Sequence, residues 1–487
     1  MESIHIKTVD PISQDLLRSA ARRGIDLNWE RYEKQQPQDG FLRTGLSCPY
    51  GCLQGPCRID PFGRGATKGL CGLERDGMAA ALLLRLCVNG ALEAVNLSGK
   101  TGGSVGPAWP AALAKPAAAA LKKLGGGDLS SAEIFAGVAA LARPAEGAPA
   151  LVRRALRLGL LTLGLAGVRP SRAAKKPAPF SVGYGVLAGK AATVAVCGQA
   201  APDFVDGLVA AAKASKAAVR VVSLGSWIGG KALLPMACTF GEAELVIASG
   251  AVDAVVCGPV AGAAVPALCA QLGIPAFAAA EADAKAVVTA AVKAKAKGEK
   301  VLKDDPAVVG DGEVISAETL AAELKADKKA SLAVIGGVDT LQSSLGWLPT
   351  ELPPALAAAK CKVATWGDAA LWMAKRGFAG GNAGVQARVL DGARGALDAL
   401  DAAVAAGGLS RLRGIGFTGL GGARDLASAL GAAALGARVC VAVPLPLWGS
   451  SGTRDALAAA VESCGGSFTH FDHPATADEV RAWFIKR

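Results

Sequence analysis

Four cysteines lie within residues 47–72, SCPYGCLQGPCRIDPFGRGATKGLCG: Cys48, Cys52, Cys57 and Cys71. Three, four and thirteen residues separate successive cysteines. Four soft thiolates in a short loop, with glycines that let the backbone fold tightly, suit a [4Fe-4S] cluster. Zinc is an alternative because it also takes four thiolates, although the paired C-x2-C spacing that zinc sites often use is absent. Unligated thiols are the third interpretation.

The residues around these cysteines narrow the choice. The run GPCRI at 55–59 is followed by GLCG at 69–72, and a predicted apolar helix with an arginine covers 80–85 and closes at Asn89-Gly90. This segment resembles the N-terminal cluster segment of the anaerobic nickel-iron carbon monoxide dehydrogenases, relatives of the hybrid-cluster (prismane) proteins. The resemblance implies that Cys48, Cys52, Cys57 and Cys71 hold a [4Fe-4S] electron-relay cluster, with one extra residue of spacing after Cys48.

The rest of the chain predicts the elements that position this loop. Residues 1–40 and 111–172 have helical patterns, and β-branched runs then alternate with helices: ATVAVCG (192–198), VRVVSLG (219–225), VDAVVCG (252–258), and a second series from SLAVIGG (331–337) to SFTHF (467–471). Such alternation predicts parallel, doubly wound sheets. We therefore predict an α/β protein with an N-terminal helical iron-sulfur domain followed by two Rossmann-like domains.

The predicted domain boundaries follow from changes of pattern. Residues 1–180 would form the helical domain, with the cluster loop at 48–71 and a basic, proline-containing linker, SRAAKKPAPF, at 171–180. Residues 181–325 and 326–487 would form the first and second Rossmann-like domains. A charged surface stretch is predicted at 293–313. The order of these parts also matches the family that the cysteine loop resembles.

The resemblance implies a second, catalytic cluster, which one histidine and several cysteines hold near strand ends. At the corresponding positions this chain has other residues: Ala261, Val338, Asp368, Phe417 and Thr418. The segments that resemble the histidine and double-cysteine regions, 196–202 and 224–227, contain no histidine and no pair of cysteines. Nickel in a sulfide cage needs several converging thiolates. We therefore expect no intact Ni-Fe-S site, no nickel and no oxidation of carbon monoxide.

Other residues could serve a remodelled site. Cys197 and Cys257 end predicted strands, where ligands of open α/β sheets collect, and Asp368 would line the former cavity with Trp366 and Trp227. These make Cys197, Cys257 and Asp368 candidate catalytic residues. The alternative is that the two cysteines are small buried core residues. The family's dimers share a further cluster from two earlier cysteines, and none precedes Cys48 here.

Composition limits the function classes. The 487 residues carry a net charge of +11 but few aromatic residues, so we expect a basic surface without nucleic-acid binding. The sequence has no strongly apolar run of eighteen residues, so we expect no membrane span. The chain has twelve cysteines and no signal-peptide pattern. We therefore expect it to reside in the reducing cytoplasm.

Three functional hypotheses remain. The first is a redox protein whose single [4Fe-4S] cluster exchanges electrons with a ferredoxin-like protein or flavoprotein, or with a remodelled site between the Rossmann-like domains. The second is a non-catalytic structural or assembly subunit of a larger complex. An active carbon monoxide dehydrogenase with unconventional ligands is a third. Whether the chain is an enzyme stays open, and the sequence is compatible with a homo-oligomer.

Overall fold

The structure is a computed structural model. It describes residues 7–35, 45–49, 54–99, 103–142, 146–169, 176–198, 200–225, 233–294, 310–380, 384–447 and 449–486. Its helices are α1 (Pro11–Arg22), α2 (Asn28–Lys34), α3 (Arg75–Ser98), α4 (Ala111–Lys123), α5 (Ala132–Ala142), α6 (Ala148–Leu165), α7 (Pro202–Ala214), α8 (Ala243–Ala248), α9 (Ala264–Leu272), α10 (Ala284–Ala294), α11 (Ala317–Ala326), α12 (Trp347–Ala358), α13 (Asp368–Lys375), α14 (Gly395–Ala405), α15 (Ala423–Ala434), α16 (Ser451–Ser463) and α17 (Ala477–Ile485). Its strands are β1 (Ala178–Val182), β2 (Ala192–Cys197), β3 (Val219–Leu224), β4 (Met236–Cys238), β5 (Ala254–Cys257), β6 (Ala276–Ala278), β7 (Gly310–Ile315), β8 (Ser331–Gly336), β9 (Cys361–Thr365), β10 (Ala387–Leu390), β11 (Leu412–Phe417), β12 (Arg438–Val441) and β13 (Ser467–His470).

The chain forms two compact units, each built from three separate segments. Unit 1 contains residues 1–36, 171–316 and 335–395, and unit 2 contains residues 37–170, 317–334 and 396–487. One of the five boundaries between these segments falls within β8, after Val334. The cysteine loop lies in unit 2, whereas Cys197, Cys257 and Asp368 lie in unit 1. The three-domain division proposed from the sequence stays a prediction.

Within each unit the described strands form a mostly parallel arrangement. In unit 1 the strand order is β9-β10-β7-β1-β4-β3-β2-β5-β6, and in unit 2 it is β13-β12-β11. Strand β2 is buried at all six positions, as expected for a parallel strand with both faces covered. The pair β1–β7 is antiparallel, with Phe180 opposite Gly312, so unit 1 contains two parallel sets of strands that run in opposite directions.

Close helix packing characterises unit 2. A Cβ atom on Gly159 of α6 would lie 2.8 Å from the carbonyl oxygen of Ala427, and one on Gly431 of α15 would lie 2.3 Å from the carbonyl oxygen of Gly159. A Cβ atom on Gly90 of α3 would lie 2.5 Å from the carbonyl oxygen of Ala423. Only glycine leaves room for backbones at this distance, so α3, α6 and α15 form the tightly packed centre of unit 2.

Helix α3 is also long and apolar enough to cross a membrane by length and composition. In its 18-residue apolar window, 61% of the residues are buried inside the protein, and the helix packs on α6 and α15. These contacts are those of a core helix.

The predicted α/β fold class is confirmed. The β-branched runs at 192–198, 219–225, 252–258 and 331–337 contain β2, β3, β5 and β8. Four strands have no counterpart in the sequence prediction: β1, β4, β7 and β10. Strand β1 begins inside the segment predicted to be a linker, and β7 begins inside the predicted charged stretch, of which residues 295–309 lie outside the described residues.

Candidate metal centre and a buried charge network

Two backbone segments bring Cys48 and Cys57 together. Residues 46–48 and 57–59 run antiparallel, with an isolated bridge between Ser47 and Arg58. The amide nitrogen of Cys48 donates to the carbonyl oxygen of Cys57 at 3.0 Å, and the amide nitrogen of Ile59 donates to the carbonyl oxygen of Leu46 at 2.7 Å. These two hydrogen bonds fix the backbones of the two cysteines side by side.

The turn that carries Cys71 wraps around the Cys57 thiol. The amide nitrogen of Leu70 donates to Cys57 Sγ at 3.5 Å. A Cβ atom on Gly69 would lie at an ordinary van der Waals distance, 3.5 Å, from Cys57 Cβ, so the backbone at Gly69 lies next to the Cys57 side chain. Cys57 is half-buried and Cys71 is exposed. The sequence therefore folds three of the four predicted ligands onto contacting segments.

A small apolar core anchors this loop to unit 2. Ile59, Leu73 and Met78 are buried together, and Cys48 and Cys57 pack against them. The guanidinium of Arg85 on α3 donates to the carbonyl oxygen of Pro49. Buried apolar contacts on one side leave the loop's other side open to solvent.

The donor set fits an iron-sulfur cluster in its chemistry. Soft thiolates are the ligands of such clusters, and backbone N–H groups that point at the sulfurs tune them, as the Leu70 amide does toward Cys57. Cys52 lies outside the described residues. Among the residues described, no three or more His, Cys, Asp or Glu side chains are grouped closely enough to hold a metal ion. The assignment of the four ligands stays a prediction.

Cys197 and Cys257 lie side by side at the ends of neighbouring strands. They are paired in the parallel register of β2 and β5, and Cys197 is fully buried while Cys257 is half-buried. Burial raises the pKa of both thiols, and it raises the pKa of neighbouring Cys269 to about 12. Metal binding and nucleophilic attack need thiolates, so this environment favours protonated core thiols.

Asp368 begins α13 and is fully buried. One of its carboxylate oxygens, Oδ2, accepts hydrogen bonds from the amides of Phe240 and Asp339, both at 3.1 Å. The indole ring of Trp366, which precedes it, lies against Gly336 and Gly395. The carboxylate therefore serves local backbone groups, and the tryptophan fills the space next to it. Trp227 lies outside the described residues.

The other positions that the resemblance singled out lie at strand ends or just after them. Ala261 is buried, Val338 is half-buried, and Phe417 ends β11 in unit 2 with half-buried Thr418 following it. None of these side chains carries a thiolate or imidazole.

A buried charge network in unit 1 was not predicted from the sequence. We define it as Asp10, Ser13, Tyr184, Glu242 and Lys375. Lys375 Nζ contacts Asp10 Oδ2 at 3.0 Å and Glu242 Oε2 at 3.1 Å. The lysine side chain is 6% exposed and the Glu242 side chain is 0% exposed. Charges this deep are tolerated only when they are paired and hydrogen-bonded.

Hydroxyl groups complete the network. Ser13 Oγ lies 2.6 Å from the Tyr184 hydroxyl and donates to Glu242 Oε1 at 2.5 Å. Thr239 donates to Glu242 Oε2 through its hydroxyl at 3.2 Å and through its amide at 3.3 Å. Every oxygen of the Glu242 carboxylate thus has a donor.

The network shifts the pKa values of its members. Burial alone would lower the pKa of Lys375, but the charges of Glu242 and Asp10 outweigh it and hold the pKa above its ordinary value. Burial, assisted by Glu242, also raises the pKa of Tyr184. Beside the network, burial raises the pKa of Asp339 to about 6, against hydrogen bonds from Thr239 and Trp372. Lys375 therefore stays charged across the physiological range.

One sequence signal pointed toward this network. Thr239 and Glu242 form the T-x-x-E pattern of a capping box, and the structure contains that box. No local signal could pair Lys375 with Asp10, because 365 positions separate them.

Part of the chain is similar in sequence to known proteins. No protein-family model matches it. The carbon monoxide dehydrogenase 1 of Methanosarcina mazei is 51% identical over 85 residues, which is 18% of this chain and 13% of that protein. The matched stretch therefore spans a small part of the curated relative.

Solved structures extend the likeness to nearly the whole chain. Carbon monoxide dehydrogenase IV from Carboxydothermus hydrogenoformans has a TM-score of 0.78 and 18% identity, and the match covers 99% of this chain and 98% of that chain. An acetyl-CoA synthase/carbon monoxide dehydrogenase, whose alpha subunits carry NiZn[Fe4S4] and NiNi[Fe4S4] clusters, has a TM-score of 0.78 and 15% identity, and the match covers 98% of this chain and 93% of that chain. At these identities the structural likeness shows a shared fold.

The fold is that of the carbon monoxide dehydrogenases, and one stretch of the sequence is closely similar to theirs. The predicted resemblance to the carbon monoxide dehydrogenases is therefore confirmed.

Proposed function

We propose that this protein is an iron-sulfur redox protein of the carbon monoxide dehydrogenase type, with one [4Fe-4S] cluster on Cys48, Cys52, Cys57 and Cys71. The cluster, when bound, would accept and release one electron. The chain's own residues would hold it and shape its environment. The observation that carries the proposal is the cysteine loop, in which the Cys57 sulfur accepts the Leu70 amide and its backbone pairs with Cys48.

We further propose that the chain has no Ni-Fe-S active site. The support is the identity of the residues at the corresponding positions, such as Ala261, Asp368 and Thr418. Asp368 is buried and accepts two backbone amides at Oδ2, which gives this carboxylate a role in the local structure. Cys197 is buried, Cys257 is half-buried, and burial raises the pKa of both thiols, which suits core packing better than ligation. Electrons would therefore pass to or from a partner protein.

A second candidate is a structural or assembly subunit, in which the cluster only stabilises the loop. The buried charge network favours it. Glu242 and Lys375 satisfy each other at the carboxyl ends of the strands, where ligands of α/β sheets usually bind. Charged side chains that pair with each other at this position suit a unit 1 without catalysis of its own.

Metal and sulfide analysis of anaerobically purified full-length protein tests these proposals. We expect about four irons and four sulfides per chain, no nickel, and an EPR signal of a single reduced cluster. Nickel, or roughly eight irons, would overturn the single-cluster proposal. Reversible reduction of the cluster by dithionite supports the redox function. A cluster that cannot be reduced would favour the second candidate, a structural or assembly subunit.

Cysteine variants locate the cluster. Cys57→Ala and Cys71→Ala should each lower the iron content and change or abolish the EPR signal, because each removes one thiolate. Cys464→Ala is the matched control, since Cys464 is a half-buried thiol after α16, outside the loop. Equal loss of iron in the control would contradict the ligand assignment.

A further inference from the structure

Helix α5 exposes a face that consists entirely of apolar residues. Phe135 is 75% exposed and Val138 is 51% exposed. The other exposed residues of this helix are Ala132, Ala139 and Ala142. Because residues three and four positions apart are neighbours on a helix surface, all five lie along one side of α5.

The remaining sides of α5 are occupied by contacts within unit 2. A Cβ atom on Gly137 would lie 2.7 Å from Val88 of α3 and 3.3 Å from Leu158 of α6. Glu133, the one charged residue of this helix, accepts a hydrogen bond from Arg157 Nε of α6 at 3.0 Å. A surface helix normally turns its polar residues toward water. Helix α5 instead uses its charged side chain in a contact with α6 and leaves apolar side chains exposed.

The chain around α5 carries an excess of basic residues. Of the acidic residues within positions 111–157, Glu133 pairs with Arg157, and Glu146 pairs with Arg154 at 2.7 Å. Asp128 is the remaining acidic residue of this stretch. Its other basic residues are Lys115, Lys122, Lys123, Arg143 and Arg153. Those of them that the structure describes are exposed, so this part of unit 2 presents net positive charge.

Hydrogen bonds bring two of these lysines close to the start of α5. Arg157, the partner of the α5 carboxylate, also donates to the carbonyl oxygen of Gly126 at 2.6 Å. The amide nitrogen of Gly126 donates to the carbonyl oxygen of Leu121 at 2.9 Å. Lys122 and Lys123 end α4 within this turn. Basic side chains beside an exposed apolar helix face are typical of helices that lie on anionic membrane surfaces.

We propose that the exposed face of α5, together with Lys122 and Lys123, binds the surface of a membrane that contains anionic lipids. The apolar side chains would enter the boundary between head groups and acyl chains, and the lysines would contact lipid phosphates. Such binding needs no membrane-spanning segment, so it is compatible with α3 as a core helix. It goes beyond the proposed redox function and does not depend on a bound cluster.

The size and charge of this face favour a membrane over a second copy of the chain. Helix α5 has eleven residues and is therefore about 17 Å long. A stable protein interface buries about 800 Å² on each partner, which is more than one side of a helix of this length offers. A two-fold contact would also bring the same lysines of both copies together, and like charges repel. An anionic bilayer attracts them instead.

Vesicle flotation with the full-length, anaerobically purified protein tests this proposal. We expect binding to phosphatidylcholine vesicles that contain about one-third phosphatidylglycerol, because anionic lipid attracts the lysines, and no binding to pure phosphatidylcholine. Binding should fall as salt rises toward about 1 M, where the screening length is about 3 Å. Phe135→Ser and Lys122→Glu should each weaken binding to the anionic vesicles about tenfold.

Matched variants at other surfaces provide the controls. Lys285→Glu makes the same charge change at an exposed lysine of α10. Phe62→Ser removes a phenylalanine of the cysteine loop that is 80% exposed. Both variants should bind the anionic vesicles like the wild type, because neither changes α5 or the end of α4.

Four results would overturn the proposal. The first is no binding of the wild type to the anionic vesicles, and the second is binding that Phe135→Ser leaves unchanged. If Lys285→Glu weakens binding as much as Lys122→Glu, only net charge acts and α5 is not the site. If light scattering finds an oligomer that Phe135→Ser dissociates, the face is a contact between copies of the chain. Val138→Ser tests the same face if Phe135→Ser fails to fold.

Discussion

Lys375 compensates two carboxylates inside unit 1. Its Nζ lies 3.0 Å from Asp10 and 3.1 Å from Glu242, and it lies 4.4 Å from the ring centre of Trp372. A buried ion pair gains little over well-packed apolar residues, but removal of one partner leaves an uncompensated charge. The contribution of Lys375 is therefore visible mainly when it is removed.

Lys375→Met should lower the free energy of unfolding by about 3–5 kcal/mol, since Glu242 then stays buried without its cation. Urea denaturation measures this change. Lys34→Met is the control, because Lys34 pairs with Asp26 on the surface with side chains 69% and 47% exposed. It should cost less than about 1 kcal/mol. Equal losses in the two variants would show that the buried network contributes no special stability.

Residue-scale prediction from the sequence worked where chemistry and spacing are local. Cys48, Cys57 and Cys71 fall within 24 positions, and the structure folds them onto contacting segments. The buried charge network was not predicted, because Asp10, Glu242 and Lys375 come from three distant parts of the chain. A lysine at the end of the apolar helix α13 signals only a helix terminus, and nothing local specifies its partners.

At the scale of elements, the strands that were predicted share a simple pattern. β2 and β8 are six-residue runs of apolar residues that parallel strands bury on both faces. The missed strands lack this pattern. Strand β4 has only three residues, and β1 contains a proline. In β7, two glycines alternate with two acidic residues. Their assignment depends on neighbours such as the antiparallel β1–β7 pair, which local sequence does not encode.

Helix packing in unit 2 yields an element-scale prediction. Gly159→Ala should destabilise the protein by about 1–3 kcal/mol, because the new methyl group would meet the backbones of Ala427 and Gly431, each at 2.8 Å. Neither backbone can move without a shift of α6 relative to α15. Thermal or urea denaturation measures the effect.

The control for this variant is Gly207→Ala on α7. Gly207 is exposed and has no atom within 4 Å of an added Cβ, so alanine should stabilise its helix by up to about 1 kcal/mol. Opposite signs for the two substitutions are the expected result. If Gly159→Ala were also neutral or stabilising, the close packing of α6 on α15 would not limit the fold.

At the scale of the whole molecule, the cluster loop and the protein interior differ in how they are stabilised. Unit 1 is closed by apolar clusters centred on strands such as β2, β3 and β5. Residues 61–72 are almost all exposed. Four backbone hydrogen bonds lie within this stretch or join it to its ends: Asp60 to Ala66, Gly63 to Asp60, Gly69 to Leu73 and Gly72 to Gly69. We therefore expect the loop to depend on the proposed cluster more than the rest of the chain does.

Removal of iron from the full-length protein should therefore loosen the loop without unfolding either unit. After anaerobic oxidation and chelation, hydrogen exchange followed by mass spectrometry should show faster exchange in peptides covering 54–73, because thiolate ligands no longer tie the turns together. Peptides from β2, β3 and β5, and from α6, should keep their protection, since apolar burial stabilises them independently. Cys57→Ala should reproduce this pattern before chelation, and Cys464→Ala should respond to chelation like the wild type. Loss of protection throughout the chain would mean that metal binding is coupled to global folding, and the cluster would then be an essential structural centre of the whole protein.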